Sequence, residues 1–467
     1  MKFKTTLILL AVFAGLLALV LVFDRLGEKK KTAEDASNTL ISVTAADVHK
    51  ISLTRGPETL VLERDEAGGP WRLTSPLQAA ADESEANSLA SALASLRIER
   101  VVEKEGKDPK AYEIPTTEVS LWVKGQDAPI RLLVGMENPL DKSLFAKREG
   151  DPRIVLLPSS LKTTLDKPVF DFREKDVFKF AAADVKGLRV KGEAKDAAWQ
   201  AAREDSGWVL TAPISSVAAK GKIDALLDSL SSLRAKAFVA ETKSPATLKE
   251  FGLDKPGYEV TLTLPQSSRE IVFALQKKGE SQYATTSQST KIISFEGTLL
   301  ADLDRKAEDM REKKVADFYS WDADRVALKH DGVEIAAGKE KAGDMDKWVL
   351  EGPAKAEADR TKVEDFLRKV ESLEAASFID KPGPLAGYGL EPGAEIRIRA
   401  KDAQGKDKDI VLLVGRENSE KKQVAVKSPG LGYLFLVDSS FLQDWPKEAK
   451  DWQAAPPKPE EKPAEKK

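Results

Sequence analysis

Apolar and polar positions along this chain fall into two regimes. Leu7 to Phe23 read LILLAVFAGLLALVLVF, 17 residues without a charge, which as a helix would span roughly 26 Å and reach across a bilayer core. Asp24, Arg25, Leu26, Gly27 and Glu28 follow, then Lys29 to Lys31, and no small-residue cleavage site is present. The run therefore predicts an uncleaved membrane anchor over residues 1–27. Lys2 and Lys4 precede it and Arg25 and Lys29 to Lys31 follow, so charge alone leaves its orientation open. Residues 28–44 are polar and read as a linker. The Pro, Glu and Lys stretch at 453–467 reads as a disordered tail.

Between these ends the pattern repeats three times. Trp71 opens WRLTSP, Trp208 opens WVLTAP and Trp348 opens WVLEGP, at separations of 137 and 140 residues, and Pro76, Pro213 and Pro353 align. An Ala-Asp pair ending in Asp47, Asp184 and Asp324 stands 24 positions ahead of each tryptophan, with no gap required. After each proline the apolar spacing turns helical: Leu89, Leu93 and Leu96, then Leu226, Leu230 and Leu233, then Phe366, Val370 and Leu373.

Strand signals flank each helix. VHKISL from Val48, VKGLRV from Val185 and ETLVLER from Glu58 precede it. A Phe251-Gly252-Leu253 turn with Pro256, and Tyr388-Gly389-Leu390 with Pro392, follow it; the first copy has Tyr112-Glu113-Ile114-Pro115 and lacks the glycine. VSLWV and IRLLVG, matched by EIRIRA and IVLLVG, predict hairpins, and IVLLPSSL and YLFLVDSSF predict a closing strand with a short helical segment. In the second copy Ala274-Leu275 stands where the others read Val-Gly. Short connections argue for antiparallel sheet. The expected fold is α+β: a transmembrane helix followed by three tandem, mainly antiparallel sheet-plus-helix domains at 45–178, 179–318 and 319–452.

Composition narrows the chemistry. The chain has 467 residues, 42% hydrophobic and 32% charged, enough apolar material for folded domains over most of its length. With 73 basic and 76 acidic residues it carries no field that would attract nucleic acid. The absence of cysteine removes disulfides, thiolate metal sites and cysteine nucleophiles, and two histidines, His49 and His330, rule out a three-histidine metal site within one chain. No phosphate loop is present, since Gly221-Lys222 and Gly338-Lys339 lack its upstream glycine and following Ser or Thr.

The Trp-x-Leu-x-x-Pro element, its helix, the aromatic-Gly-Leu turn with its proline and the later Val-Gly strand end together resemble the bacterial family called domain of unknown function 4340. That resemblance implies membrane-anchored envelope proteins associated with ABC-type export or gliding-like systems. It implies an extracytoplasmic body and carries no catalytic residues.

Candidate sites are few. Glu137-Asn138 and Glu417-Asn418, after Gly135-Met136 and Gly415-Arg416, could bind a cation or a sugar hydroxyl, yet strand-end Gly and Asn are what turns require. His49 and His330 lie in first strands, two residues out of register between copies, which argues against a shared general base. Asp47, Asp184 and Asp324 read as turn-fixing residues ahead of strands. Trp71, Trp208 and Trp348 could stack on sugars, but the leucine two positions on shares their face and marks it as core. No catalytic, cofactor or metal residue is assigned. The expected function is a membrane-anchored extracytoplasmic accessory or scaffold protein, with ABC-type transporter subunits as partners; an envelope glycan or ligand-binding module and a carboxylate-only hydrolase are the alternatives.

Overall fold

A computed structural model describes residues 38–455 apart from 67, 177, 206, 266–268, 343–344, 353–354, 403 and 444. The apolar run expected to form the anchor and the aligned Pro353 lie outside the described residues. Among those described, no helix is long and apolar enough to cross a membrane.

The first copy begins with strands Val48–Arg55 (β1), Glu58–Glu63 (β2), Arg72–Ser75 (β3) and Ala79–Ala80 (β4), then helix Glu83–Ala94 (α1). Arg100–Glu103 (β5), Thr117–Val123 (β6), Ile130–Glu137 (β7), Leu144–Arg148 (β8) and Ile154–Leu157 (β9) follow. They form one nine-stranded sheet in the order β4-β3-β2-β1-β6-β7-β8-β9-β5, and the second and third copies repeat that order. Every strand pairing among the described residues is antiparallel, β1 with β2 and β6, β5 with β9. The fold is α+β and mostly β, in three repeats. The first sheet belongs to one compact unit, and the second and third sheets to another, divided after Val177.

Helix α1 starts where its cap sets it. Asp82 caps it by accepting from the backbone N–H groups of Ser84 and Glu85, and Asp359 caps the third copy's helix, Arg360–Glu371, in the same way through Thr361 and Lys362. Leu89 and Leu93 are buried on α1, but the helix ends at Ala94, so Leu96 packs into the core from the turn beyond it. Leu233 and Leu373 likewise follow helices that end at Ser231 and Glu371.

The helix covers one face of β1–β3 and β6–β8, burying Ile51, Leu62, Trp71, Leu73, Leu121 and Leu132 with it. The opposite face of the second half is also covered, by Ile114, Phe145, Ile154 and Leu156. Burial on both faces explains the continuous apolar run Ile154–Leu157 in β9, all four residues buried.

Packing fixes the register between copies. Val48, Ile51 and Leu53 of β1 recur as Val185, Leu188 and Val190 and as Ala323, Val326 and Leu328, all buried. Asp47 therefore corresponds to Asp184 and to Asp322; Asp324, read from sequence as the third member, lies inside the strand Ala323–His330. The third copy has two extra residues in the hairpin that carries Trp348, and these displaced the ungapped match. Domain edges shift too. Leu40 and Ile41, within the stretch read as linker, belong to the first core, and Leu40 N–H donates to Leu96 C=O. Val315 and Phe318 belong to the third core in the same manner.

Candidate functional site

Each aligned tryptophan is buried, at 1%, 3% and 2% exposure for Trp71, Trp208 and Trp348, so the indoles are core residues and offer no face to a sugar. Each carries a cation over its ring: Arg64 at 4.4 Å from the centroid of Trp71, Arg203 at 4.8 Å from Trp208 and Lys339 at 5.2 Å from Trp348. The same cations cap the 3-10 turn ahead of the first strand. Arg64 donates to the carbonyls of Ala45, Ala46 and Val48, Arg203 approaches those of Ala182 and Ala183, and Lys339 donates to that of Trp321. Arg203 and Trp208, and Lys339 and Trp348, are direct cross-strand partners. Burial pushes the Arg64 guanidinium below its ordinary value, against the pull of Glu83 and Asp47. Trp71 differs from its counterparts in donating its ring N–H to Asn87 Oδ1 at 2.9 Å; those of Trp208 and Trp348 have no partner among the described residues.

The other candidates are used locally. His49 is the second residue of β1 and His330 the last of its counterpart, six positions apart in register rather than two. The ring of His330 meets the Pro446 carbonyl at 2.7 Å and the edge of Trp445. In both copies the Gly-x-Glu-Asn segment sits on a bulge, where the pairing slips between Val134 and Glu137 and between Val414 and Glu417. Asn138 Oδ1 accepts from Leu140 N–H and Asn418 Oδ1 from Lys421 N–H, which is the turn role. Glu137 pairs with Lys142 and Lys162, each at 3.7 Å, and Glu417 accepts from the Ser439 hydroxyl at 2.7 Å. Glu417 and Asn418 also border an open cavity of about 350 Å³ beside the Gly387–Gly389 turn.

Gly135 and Gly415 are required by close approach: a Cβ at either would lie 2.2 Å from the carbonyl oxygen of Tyr112 or Tyr388. In the second copy Tyr258 faces Leu275 as Thr117 faces Val134, so the residue in the glycine's place is Gln276 and the expected register was one residue off. Its side chain accepts from Gly257 N–H at 2.7 Å.

The most elaborate arrangement joins the second and third repeats. Arg311, fully buried, pairs through Ala218 with the edge of the second sheet and donates Nε to Ser216 Oγ at 3.1 Å. Its Nη1 reaches Asp380 Oδ1 at 2.7 Å and Glu308 at 3.3 Å, and its guanidinium lies 3.6 Å from the Phe378 ring centroid and 4.8 Å from that of Tyr433. The next residues continue into the third repeat, where Val315 N–H donates to Leu373 C=O and Ala375 N–H to Lys313 C=O. Beside this seam lies a groove of about 340 Å³, bordered by Val217, Asp317, Lys408, Ile410 and Tyr433. The buried Arg311 Nη2 and Tyr433 hydroxyl have no partner among the described residues.

Several carboxylates are held below their ordinary values by local partners. Asp151 is held low by the Arg153 side chain, Asp141 by Ser143, Asp196 by Lys306, Asp407 by Lys401 and Asp438 by Ser440. Among the described residues no group of three or more His, Asp or Glu side chains could hold a metal ion.

Sequence reasoning missed the cation on each tryptophan and the buried Arg311. A signal existed for the first: Arg64 and Trp71, Arg203 and Trp208, Lys339 and Trp348 flank a hairpin turn in every copy. It was obscured because loop length differs among them.

The model of a family described as domain of unknown function (DUF4340) matches residues 71–244, 208–347 and 348–457. No curated protein matches the chain significantly.

Proposed function

The chain belongs to the DUF4340 family, and from that premise we propose that it is a single-pass accessory or scaffold protein of the inner membrane, with its repeats on the extracytoplasmic side. It works by binding, in association with an ABC-type export or gliding-like envelope system. The observation that carries this reading is the uncharged run Leu7–Phe23 set directly ahead of a three-repeat body. A tether raises the local concentration of the body at the membrane, so contacts that are weak singly suffice together. The seam at Arg311 supports a stiff pair of repeats, suited to holding a partner at fixed spacing.

A second reading, a ligand-binding module, is favoured by the groove beside that seam, where the Tyr433 hydroxyl is buried without a partner among the described residues. Protease treatment of intact spheroplasts, with crosslinking before gentle solubilisation, tests the leading reading. It requires digestion of the body from outside and recovery of transporter subunits with the chain. Protection of the body, or a mature chain that has lost its first two dozen residues, overturns it. Recovery of the chain alone at endogenous level removes the transporter.

A further inference from the structure

Tyr319 and Trp321 stand out among the aromatic residues of the body. Their side chains lie parallel, 13° between planes and 4.5 Å between centroids, yet Tyr319 is 53% and Trp321 66% exposed. Stacking covers at most one face of each ring, so exposure of that size leaves the other faces open to water. The corresponding positions of the other copies are Thr44 and Ala46, and Ala181 and Ala183. The fold therefore does not need aromatic rings here, and the third repeat alone presents them.

The backbone beneath the rings is fixed. Ser320 N–H donates to Glu371 Oε2 at 3.1 Å, Asp322 N–H to the Tyr319 carbonyl at 3.0 Å, and Lys339 Nζ to the Trp321 carbonyl at 3.1 Å. A held backbone carrying open rings is a preorganised surface, which reduces the ordering cost of binding.

We infer that Tyr319 and Trp321 form a stacking platform for a neutral pyranose glycan. Equatorially substituted pyranoses present a flat C–H face that an indole covers well, with hydroxyls around its rim for polar groups. Asp322 follows Trp321 in the same turn, and Asp317 lies two residues before Tyr319, so the segment carries carboxylates of the kind that accept from sugar hydroxyls. The lysines that reach this segment are committed, Lys408 to the Asp317 carboxylate at 2.9 Å and Lys339 to the Trp321 carbonyl. A segment that carries Asp317 and Asp322 within two residues of the exposed rings suits an uncharged hydroxyl-rich ligand and disfavours an anionic lipid surface. Asp317 also borders the groove beside Arg311, so a chain of sugars seated on the rings has a path along the repeat seam.

The test uses the full chain in phosphatidylcholine nanodiscs, titrated with cellotetraose and with the tetramer of N-acetylglucosamine while tryptophan emission is followed. The wild type gives a saturable change with at least one of them. By isothermal titration calorimetry Trp321→Ala weakens affinity about tenfold and Tyr319→Ala severalfold, with thermal unfolding unchanged because both rings are exposed. Neither sugar changing the emission, or Trp321→Ala binding as tightly as the wild type, overturns the proposal. Nanodiscs of brominated phosphatidylcholine supply the competing arm: quenching present in the wild type and lost in Trp321→Phe assigns the ring to the membrane and also overturns it. None of these readouts depends on which side of the membrane the body occupies or on a transporter.

Discussion

Arg311 Nη1 lies 2.7 Å from Asp380 Oδ1, and this contact spans the seam between the second and third repeats, each built on its own sheet. The cation is fully buried and its partner partly exposed, so the two ends of the bond are not equivalent. Arg311→Ala removes the ion pair, the bond to Ser216 and the stack on Phe378 together, and is expected to cost more than the roughly 1 kcal/mol of an exposed ion pair, because the guanidinium is buried. Arg311→Met keeps an apolar stem against the rings without a charge to desolvate, and is expected to cost clearly less. Urea unfolding at neutral pH measures both; equal losses would mean that the guanidinium charge holds the seam and its stem does not.

Arg64 meets three carbonyls and an indole at once, a geometry that suits a planar fork and not a point charge. Arg64→Lys retains the charge and is still expected to cost about 1–2 kcal/mol, since at least one carbonyl loses its donor. The mirror change, Lys339→Arg, is expected to be neutral or slightly stabilising. Equal stability of Arg64→Lys and the wild type in denaturant titrations would reduce the fork to a simple charge effect.

What was legible in the chain was whatever repeats through packing. Trp71 and Leu73 face the core because alternate strand residues share a face, and Leu89 and Leu93 because helical spacing puts them on one side. The turn at Asn138 was legible from asparagine, whereas Gly135, read as a turn residue, lies inside β7 at a bulge and is required there by the approach of the Tyr112 carbonyl. Position across the sheet was not legible. The order β1-β6 and β9-β5 depends on long-range pairing that leaves no spacing signal, and the third copy's longer hairpin moved Asp324 into a false column. Arg311 was hidden for a similar reason: its partners Ser216 and Asp380 lie 95 and 69 positions away.

The missing glycine of the first copy is a case where geometry survived the loss of its usual residue. Gly252 and Gly389 have φ of 73° and 69°, and Glu113 holds the same left-handed conformation at 53°. A side chain there costs about 1 kcal/mol, so Glu113→Gly is expected to stabilise the first repeat by up to that amount. Gly389→Ala is expected to do the reverse, because its Cβ would meet Arg416 N at 2.7 Å. Thermal unfolding separates the two directions; a destabilised Glu113→Gly would mean that the glutamate side chain makes a contribution larger than the backbone strain.

Tyr258 provides a pH-dependent test of the second repeat. Its hydroxyl is 2.9 Å from Asp304 Oδ2 and 3.2 Å from Glu193 Oε2, and Asp304 Oδ1 also accepts from the backbone N–H groups of Glu193 and Ala194. Burial, then the Asp304 carboxylate, pushes the phenol well above its ordinary value. The folded state thus keeps a proton that the unfolded chain releases near pH 10, so the stabilisation is complete below that pH and is lost as pH rises through the higher folded value. Tyr258→Phe is expected to be about 1 kcal/mol less stable at neutral pH, from the lost hydrogen bond. Above pH 10 the wild type should lose this advantage by about 1.4 kcal/mol per pH unit while other titrations affect both proteins alike. Urea unfolding at neutral pH and near pH 11 should therefore show the gap closing; a constant gap would mean that the phenol ionises as readily in the folded chain as in the unfolded one.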